Sequence, residues 1–174
     1  NFSIGGSNNL FYSRRIGIYE GDLVRIYGGV RLTGRVGAWD LGFLNMQTAS
    51  FEDQPTENFG VLRMRRQVIN ENSYIGAMIT SRVGWDGSYN YAYGIDGIFK
   101  LFGEDYLDVK LAQTFENDFE NDPFSLDPSR FRLSWQRRSQ QGFGYDLSYS
   151  RSGKNFNPGI GFEIRDDYEC LRGQ

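Results

Sequence analysis

The densest group of potential ligands in the sequence is the stretch FENDFENDPFSLD. Glu116, Asp118, Glu120, Asp122 and Asp127 stand there with Asn117 and Asn121. Oxygen donors this closely spaced suit a hard cation such as calcium. The spacing is not that of an EF-hand loop, however, and a solvated acidic loop is the plainer reading. In YSRRIG, Arg14 and Arg15 sit among aromatics. Two neighbouring guanidiniums can grip lipopolysaccharide phosphates or another anionic ligand. Pairing with Glu20, Asp22 or another loop carboxylate is their commoner fate. Trp39, Trp85 and Trp135 can stack on sugars, or can belong to the aromatic girdles of a membrane protein.

Other chemistry is excluded by what the chain lacks. It has no histidine, which removes Ser-His-Asp and Cys-His catalysis and imidazole metal ligation. Cys170 is the sole cysteine, so neither a disulfide framework nor a cysteine zinc site can form within the chain. A glycosidase needs two placed carboxylates, and abundance of Asp and Glu does not place them. YGGVRLTG lacks the spacing of a phosphate-binding loop, and Ser152–Gly153–Lys154 is not a Ser-x-x-Lys dyad. The sequence therefore predicts no enzyme and no cofactor. A net charge of -3 argues against a nucleic-acid partner.

The elements that carry these residues read as strands. Aromatics at 16% and 22 glycines favour β-structure with many turns. In LVRIYGGVRLTGR, Val24, Ile26, Gly28, Val30, Leu32 and Gly34 share one face. Arg25, Arg31 and Arg35 lie on the other. Similar alternation predicts eight long strands near 23–35, 37–48, 58–68, 73–82, 89–101, 105–115, 129–138 and 142–151. AWDLGFLNMQT loses its alternation around Leu44, as at a bulge, and SYIGAMITSR is apolar on both faces. Many strands run to ten residues or more, the length that crosses a membrane (~9–11 residues). No apolar run approaches the ~18–20 residues of a membrane helix, which excludes a helical span only.

Connections alternate too. Short ones fall near Val36, INEN, FGED and SQQ; longer ones are ASFEDQPTE, VGWDGSY and ENDFENDPFSLDP. Short turns on one side and long loops on the other describe an outer-membrane barrel. The expected fold is all-β: an antiparallel meander of about 8–10 long strands, forming a transmembrane β-barrel or a segment of a larger one. A leading segment (1–22), the strand meander (23–151) and a C-terminal strand or tail (152–174) divide the chain. Arg25, Arg31, Arg35, Arg63, Arg65, Asp96, Lys100, Asp108, Lys110, Arg130, Arg132, Arg138 and Asp146 are predicted to face the lumen. A charge facing hydrocarbon would cost about 2–4 kcal/mol at the midplane. The first strand would run from the long-loop side, so another strand is expected before it, in residues 1–20 or beyond this sequence. GIGFEIR (159–165) is a candidate for one more. A soluble sheet with a solvated charged face is the competing reading.

Several motifs resemble one family. They are LFYSRRIG (10–17), YGGVRLTGRVGAWDLGFLNMQT (27–48), NFGVLRMRR (58–66), YAYGIDGIFKL (91–101) and NFNPGIGFEIRDDY (155–168). They look like the C-terminal region, of unknown function, of bacterial carbohydrate-binding family 9-like domain proteins. The resemblance implies an outer-membrane barrel with a link to glycans, and it supplies no catalytic residues. The expected partners are a lipid bilayer or membrane protein complex, with a glycan as the ligand that the resemblance implies and lipopolysaccharide as the one that Arg14 and Arg15 would suit. A soluble or membrane-associated accessory subunit, periplasmic or attached to a membrane complex, is the alternative.

Overall fold

Each alternating segment pairs with its sequence neighbours. The computed structural model describes residues 3–5, 8–117, 122, 124–139 and 141–174. Its centre is one nine-stranded antiparallel sheet in strict sequence order. The strands are β1 (Ile26–Val36), β2 (Trp39–Thr48), β3 (Glu57–Gln67), β4 (Tyr74–Gly84), β5 (Tyr89–Lys100), β6 (Asp105–Glu116), β7 (Ser129–Arg137), β8 (Asp146–Ser152) and β9 (Tyr168–Gly173). There is no α-helix among the described residues, and a single 3-10 turn spans Ser13–Arg15. The sheet is open: β1 and β9 are its edges and do not pair with each other. The turn at 37–38 closes with Gly37 at a positive φ of 58°, a conformation that a β-branched residue would resist.

The structure corrects the expected elements at several points. β2 pairs with β3 without a break from Trp39 to Gln47, so there is no bulge at Leu44. The register shift lies instead between Ile26 and Gly28 on β1. Asp22–Leu23 pairs with Ile18–Tyr19 in a separate ribbon, which is why the first long strand starts at Ile26. GIGFEIR forms no strand of the sheet; within it only Phe162 makes an isolated bridge, to Asn9. The ninth strand is Tyr168–Gly173, from a segment with weak alternation. No described part of 1–20 pairs with β1. VGWDGSY is also tighter than expected, a turn over 85–88 held by Gly84 N–H to Ser88 O at 2.8 Å.

Residues 8–12 and 153–163 lie across one face of the sheet, here called the inner face. Asn9 and Phe162 exchange backbone hydrogen bonds at 2.9 and 2.7 Å, and Tyr12 N–H donates to Ile160 O at 2.7 Å. The loop is fastened below by Asn90, whose Oδ1 accepts from Gly159 N–H at 2.8 Å. Leu10, Phe156 and Ile160 come down onto Phe59, Val61, Met78, Ala92 and Ala112, forming the buried apolar cluster. This explains the two irregular segments. Leu44 on β2 and Met78 on β4 point to the inner face at the level where the cap covers it. Apolar residues are therefore needed on both faces there.

Leu10 and Ile160 are 0% and 1% exposed. Truncating either to alanine should cost about 2–5 kcal/mol of stability, read as a lower denaturant midpoint. The strand pairing itself should survive.

Candidate functional site

Register places the charged residues. Arg35, Asp40, Arg65, Gly76, Asp96, Lys110, Arg132, Ser150 and Cys170 form one line across all nine strands on the inner face. The next line toward the long loops holds Arg63 and Arg130, with Met78 and Ala112 between them. Above that Val61, Ala92 and Phe59 form an apolar patch beneath the cap, with Arg82, Asn90 and Glu116 beside it in the line of Phe59. On the short-turn side of the first line lie Asp108 and then, sharing one line through Tyr106 and Gln136, Lys100 and Asp146. Arg31 shares this face by its pairing with Leu44. Arg138 lies past the end of β7, its guanidinium 4.4 Å from the ring centre of Tyr106. Arg25 does not join the row. The register shift turns Ile26 toward the face of Thr48, and Arg25 sits outside β1, 5.7 Å over the exposed Tyr27 ring.

Opposite charges meet across the strands. Arg63 holds Asp96 through two parallel bonds, Nη1 to Oδ1 at 2.5 Å and Nη2 to Oδ2 at 2.8 Å. The pair spans β4, which lies between them, and Gly76 makes the span possible. A Cβ at Gly76 would stand 2.8 Å from both the Arg63 Nη2 and the Asp96 Oδ1. Asp96 is 4% exposed, so an unpaired carboxylate there would be costly. Asp40 accepts from Arg35 Nε at 2.5 Å and from Arg65 Nη2 at 2.5 Å. Lys110 sits 3.3 Å from Asp108. At the long-loop end the buried Arg130 pairs with Glu163 of the cap and donates to the Tyr168 hydroxyl at 2.8 Å.

Two described members of the acidic stretch, Glu116 and Asp122, turn to different partners. Asp118 and Glu120 lie outside the described residues. Glu116 Oε2 accepts from Asn90 at 3.1 Å and Asn157 at 3.0 Å, which ties it to the cap. Asp122 Oδ1 instead accepts its own loop's Phe124 N–H at 2.8 Å. No group of three or more His, Cys, Asp or Glu is placed to hold a metal ion among the described residues. The sequence reading missed Glu57 and Arg82, an inner-face pair at 2.7 Å. Their positions follow the alternation with Phe59 and Thr80, and the signal was there at the ends of two strands. In the 85–88 turn, Ser88 donates through both N–H and hydroxyl to Asp86 and holds its carboxyl below the usual range.

The outer face is apolar in its middle and aromatic at its margins. Toward the long loops stand Tyr89 and Tyr91, Tyr93 and Phe115, and Phe131 and Tyr149, with ring centres 5.5, 5.8 and 6.2 Å apart. Toward the short turns, Trp39 lies under Arg66, and Trp135 meets Tyr145 edge-on at 5.9 Å. Polar residues bound the band. Asn45, Gln47 and Asn58 bond to one another on the long-loop side, and Arg137 pairs with Asp105 on the other. The boundary is oblique. Arg151, which faces outward beside Glu169, is in register with Leu41, four positions along β2 from Asn45. That is a drop of about 13 Å over about 29 Å of sheet, a slope of roughly 25°.

No protein-family model, curated protein or solved structure matches the chain. No described helix is long and apolar enough to cross a membrane, which says nothing of strands.

The Arg63–Asp96 clamp is open to a direct check. Asp96→Ala, which strands Arg63, should destabilise by about 3–5 kcal/mol. The double variant Arg63→Ala/Asp96→Ala should recover part of that loss in a double-mutant cycle.

Proposed function

We propose that this chain is a non-enzymatic transmembrane β-barrel segment of a bacterial outer membrane. The observation that carries the reading is the oblique apolar band with an aromatic belt at each margin. Strands that cross a bilayer in a barrel are tilted, by about 35–45° in closed examples. A lipid-facing band must then cut obliquely across the register lines. The slope of roughly 25° has this character. Strand length agrees. β5 and β6 have 12 residues each, about 40 Å of chain, which exceeds the ~25 Å of an apolar band by enough to accommodate tilt.

The inner face suits a closed, polar interior. Arg63 pairs with Asp96, Arg65 with Asp40 and Lys110 with Asp108 on it, and Leu10, Phe156 and Ile160 of the cap pack over part of its long-loop half. Such an interior supports docking of a periplasmic or surface domain, or glycan handling, more readily than free diffusion through an open pore. The sequence resemblance to the barrel region of carbohydrate-binding family 9-like domain proteins agrees with this reading. In a soluble accessory sheet, the competing reading, the outer band would instead be covered by a protein partner.

Leu32 and Thr33 are adjacent on β1 and face opposite ways, which separates the two readings. In refolding into lipid vesicles, Leu32→Arg should lower insertion by about 2–4 kcal/mol, whereas Thr33→Arg should leave it unchanged. In native cells the chain should resist alkaline carbonate extraction and shift in gel mobility on heating. Release into the supernatant, with equal effects of the two substitutions, would refute the membrane reading.

A further inference from the structure

The long-loop end of the inner face holds two adjoining clefts of about 310 and 540 Å3. They share Arg15, Gln54, Glu57, Arg82 and Gly159. The smaller one has a floor of Phe59 and Thr48, both buried, and an apolar wall at Val24 and Ile18. It is also lined by Arg14 and Glu20.

The state of its arginines is informative. Glu57 Oε1 accepts from Arg82 Nε at 2.7 Å and from Gln54 Nε2 at 2.9 Å. That bond fixes the Arg82 side chain while its two η nitrogens take no partner among the described residues. Arg15 makes one long contact, Nη1 to Gly159 O at 3.5 Å, and Arg14 makes none among the described residues. The expected pairing of Arg14 and Arg15 with Glu20 or Asp22 is not formed, although all four side chains belong to the same short segment. Three guanidiniums thus line a cleft in which Glu57 engages only one of them. Guanidinium donors match phosphate oxygens in geometry. A phosphate group carries three acceptor oxygens and nearly two charges, which fits three arginines better than a planar monoanionic carboxylate does.

We propose that this cleft is a phosphate-binding site, with Arg14, Arg15 and Arg82 as donors and the apolar wall holding the organic part of a phosphate ester. The site does not depend on the membrane reading, since its floor, with Glu57 and Arg82, is on the inner face and its other residues come from the 13–24 segment and the loops beside it, none of them from the outer apolar band. Its chemistry is shared by a soluble phosphate monoester and by a phospholipid headgroup.

The test is titration of the full chain by calorimetry with three probes. These are inorganic phosphate, glycerol 3-phosphate, and phosphatidylcholine vesicles with and without phosphatidic acid. The variants are Arg14→Gln, Arg82→Gln and, as a control cation elsewhere on the inner face, Arg172→Gln. Binding should weaken about tenfold in the first two and be unchanged in the third. Arg14 is exposed, so Arg14→Gln keeps the test valid even if Arg82→Gln, which strands Glu57, fails to fold. Saturable binding of glycerol 3-phosphate would assign a soluble ester, and binding only to phosphatidic acid vesicles would assign a headgroup. No binding to any probe, or equal loss in Arg172→Gln, would overturn the proposal.

Discussion

A slip of one residue between any two neighbouring strands would exchange the faces of everything beyond it. That constraint governs this protein more than any single bond. One face needs Leu41, Leu62, Ile79, Ile95 and Leu111 together; the other needs Arg63, Arg65, Asp96 and Lys110 together. Neither set tolerates the other's surroundings. The arginine–aspartate contacts across the strands are possible only in the observed register. They in turn resist the slip, because a shift at a junction separates the pairs that cross it.

The inner face is graded along the strands as well as segregated from the outer one. It is charged at the short-turn end, apolar where Leu10, Phe156 and Ile160 press on it, and polar again around Glu57, Arg82 and Glu116 at the long-loop margin. The charged end and the apolar patch meet at the line of Arg63, Met78, Ala112 and Arg130. Small residues do two different jobs along this boundary. Gly76 leaves room for a side-chain clamp to cross over its strand, and Ala92 and Ala112 leave room for the cap to descend. A sheet charged throughout would lack the apolar floor on which Leu10, Phe156 and Ile160 rest, and one apolar throughout would lack the side chains of Asn90, Glu116 and Arg130 that fasten residues 153–163.

Much of this was legible in the sequence, because period-two alternation is a property of the backbone and needs no tertiary context. The strands from β2 to β7 and the face of nearly every inner charge followed from it. What failed did so where a residue answered to something distant in sequence. Leu44 looked like a break in register, but its environment had changed and its register had not: the cap that covers it comes from Phe156 and Ile160. GIGFEIR looked like a strand because its apolar residues alternate, yet their partners are Asn9 and Leu10 on the inner face. The bulge at Ile26 left no mark in a run of glycines, and it removed Arg25 from the row. The Glu57–Arg82 pair was visible in the alternation, but it lay at strand ends where boundaries are least defined.

The cap joins residues 8–12 to residues 153–163, segments far apart in sequence, and this sets an order of contacts. Every pairing in the sheet is between sequence neighbours, so each hairpin closes over a loop far shorter than the span between Asn9 and Phe162, at smaller entropic cost. The contact between Asn9 and Phe162 encloses nearly the whole chain and gains its apolar contacts only once Phe59, Met78 and Ala112 are already assembled. The cap contact is therefore the closure with the largest loop, and the one that depends on the sheet being formed first. Until that closure, the protein has its walls but not its interior.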